Sequence, residues 1–234
     1  MFDWLKRMAG RPRTATKASV SEPAPPVGSV AAPAPVEVPA YGEADLLEDV
    51  RRHVARSVAS GFARPDEIVE DAVAVFEDEA DEALLTATAR KALADALAAR
   101  MVEQATWPAV TDCDRLDAAF AALEAEGVIA RHDFTCCGTC GSAEIWDEMR
   151  AVRDAGGPVT GYAFYHRQDT ERAADGEGLY LAYGAVEEGD AAAVAVGRRI
   201  MAGLRAQGLA PECDGRIERR IALPLDWKRR APPV

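Results

Sequence analysis

The chain has 234 residues, is 49% hydrophobic and carries a formal net charge of −12. That acidity argues against a general binder of nucleic acid or anionic membrane, and no stretch approaches the roughly 18 uncharged apolar residues of a membrane span. The length leaves room for one sizeable domain or two small ones.

Residues 1–10 set Phe2, Trp4, Leu5 and Met8 among Asp3, Lys6 and Arg7, a short amphipathic pattern whose single anchor would hold a membrane or partner only marginally. Residues 11–42 hold Pro12, Pro23, Pro25, Pro26, Pro33, Pro35 and Pro39 among Ala, Val and Ser, and read as an extended, disordered tether. The terminus lacks the apolar core of a secretory signal, so the expected compartment is the cytoplasm, where thiols stay reduced.

From Glu43 to Gly127 there are twenty acidic and eight basic side chains, so most of the acidity sits here, on what reads as a solvated helical surface. Leu46, Leu47, Val50, Val54 and Val58 recur at helical spacing and stop at Gly61. Pro65 suits the first turn of a second helix, with Ile68, Val69, Ala72, Val73 and Phe76 as its stripe. A third helix runs from about Asp81 into Met101. Asp112 or Asp114 is placed to cap a fourth, which ends at Gly127.

Beyond Gly127 the period changes. Val128 to Phe134, Thr160 to Arg167, Leu179 to Ala185 and Arg216 to Leu223 read as strands. Ser142 and Asp190 are placed to cap two intervening helices that stop at Gly156 and Gly208. The order strand, helix, strand, strand, helix, strand predicts an α+β fold. It is the ferredoxin-like βαββαβ arrangement, an antiparallel four-stranded sheet with two helices on one face and the N-terminal helices packed beside it. The expected organisation is a Pro/Ala-rich tether over 1–42, an acidic helical region over 43–127 and an α+β domain over 128–230.

Three of the five cysteines, Cys136, Cys137 and Cys140, fall within five residues where the first strand hands over to a helix. Cys113 and Cys213 are isolated and read as small buried hydrophobes. An odd count with three clustered is no disulfide framework. A helix start favours thiolate over thiol. Parallel first and second strands would put His166 and Asp169 on the same sheet edge as the cysteines, with the third strand between. Cys137-x-x-Cys140 can chelate a soft ion such as zinc, with Cys136, His166 or His132 completing the set. Cys136, Cys137, Cys140 and His166 are therefore the candidate metal ligands.

Two other readings stay open. Cys137-Gly138-Thr139-Cys140 is similar to the exchanging dithiol of thioredoxin-like proteins, although no proline clearly supplies their cis-Pro loop. Alternatively the cysteines are structural, in a ligand-free interaction module whose tether and acidic helices recruit a protein partner. No nucleophile elbow, phosphate loop or His-Glu-x-x-His helix marks an enzyme. Gly161-Tyr162-Ala163-Phe164 matches only the centre of an RNA-recognition signature and reads as ordinary strand packing.

The longer pattern resembles a bacterial family, domain of unknown function 6891. Its carriers are Phe134 to Gly141 with Ala143-Glu144-Ile145, Gly161 to Glu171, Gly178 to Gly184, Glu103 to Pro108, and Asp112 to Phe120. The likeness covers most of residues 45–230. It supports the boundaries and implies no activity, ligand or fold.

Overall fold

A computed structural model describes residues 42–230. The N-terminal amphipathic segment and the tether lie outside the described residues, except for Gly42. Helix α1 (Glu43–Ser60) buries Leu46, Val50, Val54 and Val58 and ends where Gly61 takes a left-handed φ of 77° and its N–H donates to the Ser57 carbonyl. Helix α2 (Pro65–Phe76) opens on its proline, with the Glu67 carboxylate accepting from the Arg64 N–H. In α3 (Glu82–Gln104) Asp81 caps the N–H groups of Ala83 and Leu84. These helices bury a core of their own, including Val54, Ile68, Ala72, Leu85 and Ala89. No helix among the described residues is long and apolar enough to cross a membrane.

Helix α4 (Asp112–Ala125) is capped by Thr111, with the Asp114 carboxylate accepting from the Thr111 N–H; the cap is thus one residue earlier than Asp112. It packs against the sheet. There follow β1 (Val128–Arg131), α5 (Gly138–Asp154), β2 (Gly161–Phe164), α6 (Arg167–Ala174), β3 (Leu179–Ala185), α7 (Asp190–Ala206) and β4 (Ile221–Leu223).

The sheet corrects the ferredoxin-like, fully antiparallel expectation. Its order is β1-β2-β3-β4, with β1 and β2 parallel neighbours and the other two pairs antiparallel. No strand separates β1 from β2. The helices also divide between the two faces. Val128, Ala130, Ala163, Leu179 and Leu181 share a core with Leu116 and Phe120 of α4 and Ile200 and Leu204 of α7. Ile129 and Phe164 point the other way, onto Ile145 and Met149 of α5. A helix linking two adjacent parallel strands must cross over one face of the sheet, and α5 does so, leaving the opposite face to α4 and α7. Because β1 and β2 are covered on both sides, Val128, Ile129 and Ala130 are all buried and show no alternation.

Helix α6 occupies what the sequence presents as a strand end and a polar connection. Past β4, the Trp227 indole N–H donates to the Ala59 carbonyl at 3.1 Å, and the Arg229 guanidinium pairs with Asp117 and lies 4.4 Å over the Phe62 ring. This segment ties α1 and α4 together.

Gly161 marks the tightest point of the sheet. A Cβ there would lie 2.5 Å from the Gly184 carbonyl oxygen and 2.8 Å from both Val196 methyls. Gly161→Ala is expected to destabilise the fold by about 1–3 kcal/mol, as other overpacked core substitutions do. Urea unfolding measures it, and a loss below about 0.5 kcal/mol would mean that β3 and α7 move aside freely.

Candidate metal and thiol site

The backbone pairing of β1 with β2 runs on beyond both strands. The Tyr165 N–H donates to the Arg131 carbonyl, the Phe134 N–H to the Tyr165 carbonyl at 2.8 Å, and the Arg167 N–H to the Thr135 carbonyl at 3.1 Å. The loop leaving β1 is therefore laced to the segment leaving β2, up to the cysteines on one side and His166 on the other. Asp133 and Thr135 adopt left-handed φ values of 46° and 61°, an uncommon conformation for residues with a side chain. Asp133 is held by the Thr170 hydroxyl, which donates to its carboxylate at 2.6 Å. These two turns fold the chain back before the cysteines.

Helix α5 starts earlier than the Ser142 cap expected from the sequence: Cys137 is its N-cap and Cys140 lies in its first turn. The sulfurs of Cys136, Cys137 and Cys140 all lie within 4.8 Å of one another, with those of Cys136 and Cys140 3.5 Å apart. Cys136 is exposed and the other two are half-buried; all three are free thiols. The Cys140 N–H, then its thiol and the Thr139 N–H, hold the Cys137 thiol below its ordinary range. Its neighbours Cys136 and Cys137 push the Cys140 thiol up to about 11.

The three-sulfur set and its loop fall within the range matched by a family model described as Domain of unknown function (DUF6891), residues 43–231. The chain belongs to that family. No curated protein and no solved structure matches it. The DUF6891 match spans every helix and strand named above, so the cysteine site lies inside the family domain.

Of the residues singled out from the DUF6891 sequence, the three cysteines come together most closely. His166 sits at their edge: a Cβ on Gly138 would lie 3.4 Å from its Nε2, so the glycine admits the imidazole against the start of α5. His166 is also the N-cap of α6, its Nδ1 accepting from the Asp169 N–H at 3.3 Å, while Nε2 is 3.1 Å from an Asp169 carboxylate oxygen. Burial lowers the His166 pKa below 6.5, and Asp169 opposes that shift. His132 turns away from the cysteines. Its ring stacks on Phe120 at 4.4 Å, and its Nδ1 is 2.9 Å from the Tyr165 hydroxyl. Cys113 is buried as expected, its thiol pushed up to about 11 by burial; Cys213 is half-buried.

Sequence reasoning missed Arg220 and the cleft beside it. Arg220 forks onto the buried Asp169 carboxylate, with Nη1 donating at 2.9 Å, and also donates to the Tyr180 carbonyl. The cleft, about 740 Å³, is bounded by Cys137, Gly138, His166, Tyr162, Arg219 and Arg220, among others. A usable signal was the His166-Arg167-Gln168-Asp169 spacing, which fits a reciprocal helix cap. Nothing local pointed to Arg220.

Proposed function

We propose that Cys136, Cys137 and Cys140 bind one soft metal ion, zinc or a similar ion, in a reducing compartment such as the cytoplasm. The observation that carries this is the mutual approach of three sulfurs within 4.8 Å at the start of α5. Thiolates suit zinc and softer ions. The helix start contributes N–H groups that favour the anionic sulfurs a metal needs. In this reading His166 stands beside the ion, its ring nitrogens engaged by Asp169, and constrains the loop that carries the sulfurs.

The test is zinc and cadmium uptake by the reduced protein, measured by metal analysis and chelator competition. Wild type is expected to take up one ion per chain, and Cys137→Ser to weaken binding by more than about 100-fold. Loss of a direct ligand should exceed the 10–100-fold typical of outer partners. Equal uptake by both proteins would end the metal reading.

A second reading draws support from the contrast between Cys137, held below its ordinary pKa, and Cys140, held above it. An exchanging dithiol has that asymmetry, one thiolate to attack and one protonated thiol in reserve. If metal uptake fails, a Cys137–Cys140 disulfide that forms reversibly in a thiol redox buffer, identified by peptide mass, would favour it.

A further inference from the structure

We propose that the ion held by Cys136, Cys137 and Cys140 takes a fourth ligand from a small, carboxylate-bearing thiol bound in the adjoining cleft, an inference that rests on the metal reading above. Tetrahedral soft ions take four donors. Among the described residues, the donor groups lying within 4.8 Å of one another at this site are the three cysteines alone. With the His166 ring nitrogens engaged by Asp169, a molecule bound beside the three sulfurs can supply the fourth donor.

The cleft indicates the side from which it comes and what it carries. Of the three cysteines, only Cys137 lines the cleft, so a molecule bound there approaches the ion alongside that sulfur. A volume of about 740 Å³ falls in the range of small-molecule sites. Three thiolates on a divalent ion sum to −1, and a thiol binding as thiolate brings the complex to −2, releasing its proton to solvent with no change of oxidation state. The α5 N-terminus carries the cysteines, and Arg219 and Arg220 line the same cleft as Cys137. Arg220 is engaged by buried Asp169. Arg219 is 70% exposed and pairs with Asp214 at 3.3 Å, so it can reorient toward a ligand carboxylate. Glu218 on the same wall opposes that carboxylate. These charges favour a thiol with one acidic group over a neutral thiol.

The experiment uses the full chain loaded with Cd²⁺ and separated from free ion. It follows the sulfur-to-cadmium charge-transfer band and the ¹¹³Cd shift during titration with 3-mercaptopropionate, 2-mercaptoethanol or propionate. The expected result is a change from a three-sulfur to a four-sulfur signal with 3-mercaptopropionate, at about three-fold lower concentration than with 2-mercaptoethanol, as one exposed charge pair would give. Propionate should leave the signal unchanged. Arg219→Gln should remove the preference and Glu218→Gln enlarge it. A three-sulfur signal unmoved by 3-mercaptopropionate, equal response to both thiols, or loss of cadmium from the protein would overturn the proposal. Absence of any charge-transfer band in the cadmium-treated protein would instead overturn the metal reading beneath it.

Discussion

Asp169→Ala is expected to destabilise the protein by about 3 kcal/mol and to lower its Tm by roughly 6–12 °C. Asp169 is 3% exposed, and its carboxylate receives both terminal nitrogens of Arg220 and the His166 backbone N–H at 3.2 Å. Removing it strands a guanidinium whose Nε is already buried without a hydrogen-bond partner, and frees a histidine wedged against Gly138. Breaking a buried pair from one side typically costs about 3–5 kcal/mol. The lower end applies because 36% of the Arg220 side chain remains in water. Urea unfolding of Asp169→Ala measures the effect. The double variant with Arg220→Met should recover more than half of the loss, since no charge is then left behind. A single-variant loss below about 1 kcal/mol would show that the pair contributes little.

Acid should weaken the fold well before its carboxylates are exhausted, through His132. Burial against Phe120 and Tyr165 lowers its pKa from 6.5 to about 4; Asp117 on α4 opposes the shift, and Arg229 and Arg131 add to it. The unfolded chain therefore binds this proton near pH 6.5, whereas the folded chain refuses it until about pH 4. Stability from this group is fully present above pH 6.5 and falls as the pH drops through about 4, by about 3 kcal/mol in all, with little change at lower pH. Unfolding midpoints at pH 7 and pH 4.5 test this in wild type and His132→Phe. The variant should lose most of the difference between the two pH values, whatever its absolute stability. An undiminished difference would assign the acid sensitivity elsewhere.

Much of the helical half was readable because its determinants are local. The apolar stripe of α1 and its stop at Gly61, the opening of α2 on Pro65 and the Asp81 cap of α3 each depend on residues within a turn or two of one another. The thiol site was readable for the same reason: Cys137 and Cys140 are one turn apart whatever the rest of the fold does, and Cys136 is adjacent in the chain. The α6 cap was equally local but hidden, because His166 and Asp169 invited reading as ligands at a strand end.

By itself, then, the sequence determined where six of the seven helices lie among the described residues and where the thiols cluster. The pairing of strands was decided only in three dimensions. A strand-helix-strand run is compatible with two strands side by side or with a third between them, and buried runs such as Val128-Ile129-Ala130 lack the alternation that would reveal one covered face or two. The cleft and the core likewise depend on contacts with no local signature: at the cleft Arg220 reaches Asp169 across 51 residues, and in the core Tyr165 meets His132 across 33. Such contacts form because tertiary packing removes the partners from water together, and charge or burial at one position says nothing alone about which distant residue will answer it.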